Sequence, residues 1–467
     1  MTDGPRLRRA GVLAVAAMLA VAACGQKSGV HVSAGGGGGF ETGGADSGEG
    51  GGGGFDTGGG AGGDAGAGGD GGGGTAGGSG SAGGDGGGSA GGGGEAGGGG
   101  DAGAGGAAPT GPAWGDTIVV GIHAPVSGAA PVPGSVPRAI QVYPRWINSK
   151  GGINGRQLVV ELANDEYQPA SAVQVCQELV QRRNAFLLFG VAGTDQIQAC
   201  ARFAESAGVP YLSAGVTERG LRDLRGYFAL SMSYAQQGPF LANFIKKQFP
   251  DLAGNAGMVY SDTPNFADGV QAFTSAIDAK TYRLPRVPSS TDLANAARQM
   301  CIDGVRVAYP LMAPTDWLQM LRAVTCDIQW SGVGVTMGLN SVAAVACADS
   351  PERFDGATFF SPFPGVDAAP TIDPEFAQAV QGESWDDIYV LAWSAAKAIG
   401  ELLKQAGENL NRAGFVSSTE QVQNLRIGMN PTLSYSPDDH FGAGEVHVLQ
   451  ADCSKRQYVT LASFARF

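Results

Sequence analysis

The chain has no C-x-x-C pair, and only four of its 467 residues are histidine. The first absence removes the usual ligand spacing of a zinc or thioredoxin-type site. His31, His123, His440 and His447 stand beside no nucleophile motif, and no P-loop lysine motif occurs. The expectation is therefore a non-enzyme that needs no cofactor and no metal. A G-x-S-x-G match exists, "GGSAG" at 87–91, but it lies in a glycine tract. It lacks the strand before and the helix after that would hold a nucleophile. Basic residues are also few: 30 Lys and Arg against 43 Asp and Glu, a net charge of −13, which argues against a nucleic-acid binder. Beyond residue 23 no segment is apolar enough to cross a membrane, which takes roughly 20 apolar residues.

What is abundant is glycine, 79 residues, concentrated in 35–107 with Ala, Ser, Asp and Glu. Such a tract has too little apolar surface to offset chain entropy, so it reads as a flexible tether. As a glycine-rich coil its r.m.s. span is about 45–50 Å. Ahead of it, Arg6, Arg8 and Arg9 precede the apolar run "AGVLAVAAMLAVAA" (10–23), the layout of a secretory signal. Val21-Ala22-Ala23-Cys24 resembles a bacterial lipobox. Cys24 is therefore the expected lipidation site, and a lipid there the only expected membrane attachment. Removing Cys24 from the seven cysteines leaves six, Cys176, Cys200, Cys301, Cys326, Cys347 and Cys453. An exported chain meets an oxidising compartment, where paired thiols persist. Six cysteines allow fifteen connectivities.

From 113 onward, short β-branched runs alternate with amphipathic stretches. "DTIVVGIHAP" (116–125), "QLVVELAND" (157–165), "AFLLFGV" and "VPYLSAG" read as strands. Helical spacing joins them, over 135–149, after Pro169 and over 194–207. The order predicts a parallel sheet sandwiched by helices. It then restarts: "GPFLANFIKKQFP" and 264–279 read as helices, "AGMVYSD", "RVAYPLM" and "WSGVGV" as strands. A long helix over 384–407 and a terminal hairpin follow. Given this element order, the expected disulfides are Cys176–Cys200, Cys301–Cys326 and Cys347–Cys453.

At this point the chain resembles the type I periplasmic binding proteins of the branched-chain amino acid and amide class, which feed ABC transporters. The resemblance rests on "VVGIHAPVSG" (119–128), "INSKGGINGRQLVVELANDE" (147–166) and "FGVAGTDQIQACARFAESAGVPYLSAGVT" (189–217). "VYSDTPNFADGVQAF" (259–273) and "TLSYSPDDHFGAGE" (432–445) add to it. It implies two α/β lobes around a hinge, lobe I over about 116–236 and 364–428, lobe II over about 237–363 and 429–467. It also implies a small polar ligand (amino acid, amide or small carboxylate), an ABC permease as partner, an extracytoplasmic location and a monomer. A ligand-sensing receptor of the same fold is the alternative, since fold does not decide between the roles. A transmembrane helix leading to a signalling domain would mark the sensor.

By the same resemblance the ligand's head group meets Thr194 and Thr217, with backbone help from Ala192, Gly193, Gly215 and Val216, and with Ser213 beside them. A helix N-terminus suits this task, because its N–H groups are unpaired and its dipole end is positive. Phe266 stands where the family has a lid aromatic, and Ser127 follows the first strand. Tyr309 and Trp317 flank a later strand-helix turn. Two departures matter. Relatives that bind aliphatic amino acids carry an acid in lobe II for the ligand ammonium, and "WSGVGVTMGLN" (330–340) has none. Pro133 stands where an aromatic is usual, while Asp195 follows Thr194 directly.

Overall fold

The structure is a computed structural model that describes residues 115–128 and 132–467. The signal, Cys24, the glycine tract, the 87–91 match and His31 lie outside these residues. Among the described residues, fourteen strands form two large sheets and one small ribbon. The first sheet has the order β2-β1-β3-β4-β5, with β1 Thr117–Ala124, β2 Gln157–Asn164, β3 Leu187–Gly190, β4 Tyr211–Ser213 and β5 Tyr227–Ala229. All its pairings are parallel. β1 pairs on both sides, and its last five residues are all buried, as its near-continuous apolar run requires.

The second sheet contains β6 Ala256–Ser261, β7 Ala279–Leu284, β8 Val307–Leu311, β9 Gln329–Val333, β10 Thr358–Ser361, β13 Val446–Asp452 and β14 Gln457–Ala465. Its order is β14-β13-β10-β9-β8-β6-β7. Five strands are mutually parallel, and the terminal hairpin β13–β14 adds antiparallel at one edge. β11 Leu425–Ile427 and β12 Asn430–Leu433 form the ribbon. The chain passes between the two sheets after β5, after β10 and again before β13. The long helix Asp387–Gln405 packs on the first sheet's side, against helix Val142–Ser149.

Cys176 and Cys200 lie on helices Pro169–Gln181 and Thr194–Ser206 and are joined at a Cα–Cα distance of 6.1 Å. Cys301–Cys326 closes at 5.6 Å beside β8, and Cys347–Cys453 at 5.1 Å ties a helix to the terminal hairpin. These are the three pairs that the element order pointed to.

Some local expectations need correction. The stretch 135–149 forms two helices, Val136–Ala139 and Val142–Ser149. Pro144 has no N–H for the carbonyl of residue 140, so one continuous helix would lose that bond. The helix expected over 264–279 covers only Ala267–Ala276, because Ile277 turns extended and β7 follows. β7 is an edge strand whose Lys280, Thr281 and Arg283 are exposed, and this polarity hid it in the sequence. β10 and the helix Asn340–Asp349 were not anticipated.

Candidate functional site

In both large sheets, neighbours of the first parallel strand leave in opposite directions, β2 and β3 from β1, β7 and β8 from β6. Ligands in open α/β sheets settle outside the carboxyl ends of strands at such switch points. Those ends face a cleft of about 350 Å³ between the lobes. From the first lobe it is lined by Ala192, Gly193 and Thr194 after β3 and by Ala214, Gly215 and Val216 after β4. From the second it is lined by Asn265 and Phe266 after β6, Thr315 and Leu318 after β8, and Met337 to Leu339 after β9. Ser231, Pro362 and Phe363, on the crossing segments, form its floor.

The first wall is set by glycine geometry. Gly193 has φ +83° and caps helix Thr194–Ser206 without a side-chain hydrogen bond. A Cβ at Gly193 would lie 2.2 Å from Gln196 Oε1. A Cβ at Gly215 would lie 2.1 Å from the Ser231 carbonyl oxygen, so only glycine lets the two segments meet. The Gly215 N–H donates to Ser231 Oγ at 2.8 Å, and Tyr234 N–H donates to the Val216 carbonyl at 3.1 Å. These backbone groups therefore hold the first crossing segment.

Six residues expected at the site do line the cleft: Ala192, Gly193, Thr194, Gly215, Val216 and Phe266. Phe266 is only 1% exposed and packs edge-on against Tyr234, so it shapes the wall more than it covers a ligand. The other three are engaged elsewhere. Thr217 is fully buried, and its hydroxyl donates to Asp268 Oδ2 at 2.8 Å. Ser213 is fully buried against the Tyr227 hydroxyl, at 2.9 Å. Ser127 exchanges hydrogen bonds with the Asn164 side chain at the surface. Tyr309 and Trp317 are core residues, packed on Phe273 and on Trp330 and Phe359. Sequence reasoning missed the floor and the second wall's Leu318, Ser341 and Val342. The crossing points of the chain were the available signal.

Among the described residues that line the cleft, Asp195 is the one carboxylate, and none is lysine or arginine. Its Oδ2 is 2.9 Å from an Arg286 guanidinium nitrogen, and its Oδ1 accepts from Asn265 Nδ2 at 3.2 Å. Both partners belong to the second lobe. Asp268, also of the second lobe, accepts from Thr217 Oγ1 and from the Glu218 N–H, each at 2.8 Å. The lobes are thus bridged at two points of the rim. At the opposite end, Asp387 Oδ2 accepts the Asn340 N–H at 2.6 Å. Burial pushes the Asp387 carboxyl up to about 6, and burial does the same to Asp316 in the first turn of helix Pro314–Ala323. The apolar stretch 330–340 contributes Gly334 and Met337 to Leu339 to the wall, so this part of the cleft offers an ammonium no acid.

The remaining histidines are structural. His123, near the end of β1, is fully buried, with Nδ1 2.8 Å from Asp165 Oδ2 and Nε2 2.6 Å from the Tyr211 hydroxyl. His440 stacks on Phe228, and His447 Nε2 meets the Met429 carbonyl at 2.9 Å. Burial holds His447 down at about 4, so it is neutral at ordinary pH.

The model of a family described as periplasmic binding protein matches residues 117–457. The chain belongs to the periplasmic binding protein family. Its similarity to Leu/Ile/Val-binding protein homolog 7 of Brucella suis biovar 1 is 28% identity over 136 residues, 27% of this chain and 33% of that protein. The match thus spans a third of the relative's length. Among solved structures, a branched chain amino acid ABC transporter protein from Thermus thermophilus with bound valine superposes with a TM-score of 0.60 at 14% identity, covering 75% of this chain and 97% of that one. A fatty acid ABC transporter substrate-binding protein from Thermomonospora curvata gives 0.61 at 15% identity, covering 75% and 93%. At such identities the likeness is one of fold. Among the described residues no helix is long and apolar enough to cross a membrane.

Proposed function

We propose that this periplasmic binding protein is an extracytoplasmic solute receptor that traps a small ligand between its lobes and presents it to an ABC permease. The observation that carries the reading is the cleft itself. It lies at the carboxyl ends of both parallel sheets, and its floor is made of the segments on which the lobes pivot. Lobe I is assigned to about 116–236 and 364–428 and lobe II to about 237–363 and 429–467; the strands of the two large sheets fall on either side of this division, while the β11–β12 ribbon and helix Tyr234–Gln248 straddle its boundaries. Ligand settles on one wall, the other swings in, and the rim contacts Asp195–Arg286 and Thr217–Asp268 hold the closed form that the permease reads. No covalent step is required. Thr194 and the first turn of its helix receive the polar head, and the protein acts as a monomer, attached through a lipid on Cys24 with the glycine tract as leash.

The fold does not choose the ligand, since neighbours of nearly equal TM-score are described by valine and by fatty acid. A thermal-melt screen of the purified full-length protein against amino acids, amides and small carboxylates tests the reading. A ligand that binds only the native state at a hundred times its Kd stabilises by about 2.7 kcal/mol, which reads as a rise of a few degrees. A flat response across all three classes contradicts it. Incorporation of labelled palmitate that disappears in Cys24→Ser supports the anchor.

A further inference from the structure

Behind the cleft, the first lobe contains a second space of about 80 Å³. One side is the sheet face made by Val120, Ile122, Leu158, Val160 and Phe189. The other is one stripe of helix Asp387–Gln405: Ile388, Leu391, Ala392, Ala395, Ala396 and Ile399. The spacing is that of an ordinary core-facing helix, but three members of the stripe are alanine. The helix is held tightly near Gly400, where a Cβ would lie 2.3 Å from the Tyr143 hydroxyl. Trp393 locks it further through edge contacts with Tyr143 and Trp146. With the helix axis fixed there and its side chains short toward the sheet, the sheet and helix do not close on each other.

The polar groups at the chamber's margin are already satisfied within the protein. Ser231 Oγ accepts from Gly215 N–H, Ser394 Oγ donates to Asn430 Oδ1 at 3.4 Å, and Asn430 Nδ2 donates to the Pro431 carbonyl at 2.9 Å. An ordered water needs two to four polar partners, and an apolar void of this kind takes up hydrocarbon instead. An unfilled void also costs stability, roughly in proportion to its volume. The chamber adjoins the ligand cleft: eight residues, among them Val136, Val191, Ala214, Phe363, Ile388 and Leu391, line both.

We propose that the chamber is the tail subsite of the ligand, which is an amphipathic molecule with a small polar head in the cleft and an aliphatic chain of several carbons running between the sheet and helix Asp387–Gln405. This rests on the solute-receptor reading above and narrows its substrate class. The cleft has no cationic lining residue and its carboxylate is already paired, so the chain supplies most of the selectivity.

The test is titration calorimetry of the purified full-length protein with butyrate, hexanoate, octanoate and decanoate, and with the matching primary amides. Affinity should climb about fourfold for each added methylene until the chamber is full, then level or fall. Ala395→Phe should cut the octanoate-to-butyrate affinity ratio at least tenfold. Should that variant fold poorly, Ile399→Ala lengthens the chamber instead and should move the optimum to a longer chain. Short ligands binding with no gain from added methylenes would overturn the tail subsite and leave the receptor reading standing. No binding by any acid, amide or amino acid would overturn both. The acid and amide arms identify the head group that the cleft accepts.

Discussion

The cleft between the lobes and the chamber behind it share eight wall residues yet are built on opposite principles. The cleft is walled by strand-end loops, glycine turns and a helix N-terminus, and it is crossed at the rim by hydrogen bonds between the lobes. The chamber is walled by regular structure, a sheet face and a helix stripe, and almost nothing polar enters it. In the proposed receptor, loops that move with the hinge serve as the gate, while the sheet and the long helix set a fixed measure of length, so that opening and discrimination are kept apart.

The comparison breaks most severely at Gly215, whose segment is common ground to both spaces. Gly215→Val drives a branched side chain into the Ser231 and Met232 carbonyls. It should cost about 3 kcal/mol or more and abolish binding of every ligand alike, as read by denaturant melts and calorimetry. Next is Asp316→Asn, near the cleft's second wall. The Asp316 carboxyl titrates at about 6 in the fold against 3.8 normally, because burial disfavours its charge. Its contribution is therefore complete below pH 4 and is lost as pH rises through 6. Relative to the parent, the asparagine variant should gain at most about 3 kcal/mol between pH 4 and pH 8, with the chamber's chain-length preference untouched.

Smaller effects separate the two regions more finely. Thr194→Ala should weaken short and long ligands by the same factor, about fivefold for the loss of one hydrogen bond, since it touches the head only. Thr217→Ala removes a rim contact with Asp268, so it should lower stability by about 1 kcal/mol with no dependence on ligand chain length. Asp195→Asn should be the mildest. Its pair with Arg286 is more than a third exposed on both sides, worth under about 1 kcal/mol, and its effect on affinity should fade in high salt.

The difference between the regions also explains what could be read from the amino-acid order. Strand and helix alternation was clear because buried parallel strands are continuous apolar runs, and the turn "FGVAGTD" announced Thr194 through its glycine before a helix. The hydroxyls were not separable by type. Thr217 follows a strand just as Thr194 does, but Asp268, fifty-one positions on, claims it. Ser213 looks like a site serine until Tyr227 is seen beside it. The chamber left no trace at all. Alanines at 392, 395 and 396 belong to an unremarkable amphipathic helix, and the space they leave depends on where that helix sits over the sheet, which the amino-acid order does not state.

The most direct measurement is anomalous diffraction from crystals of the protein grown with 8-bromooctanoate. A bromine peak is expected inside the first lobe, between Val160 and Ala395, with the carboxylate end toward Thr194. A bromine peak in the open cleft beside Met337, with the chamber unchanged, would contradict it.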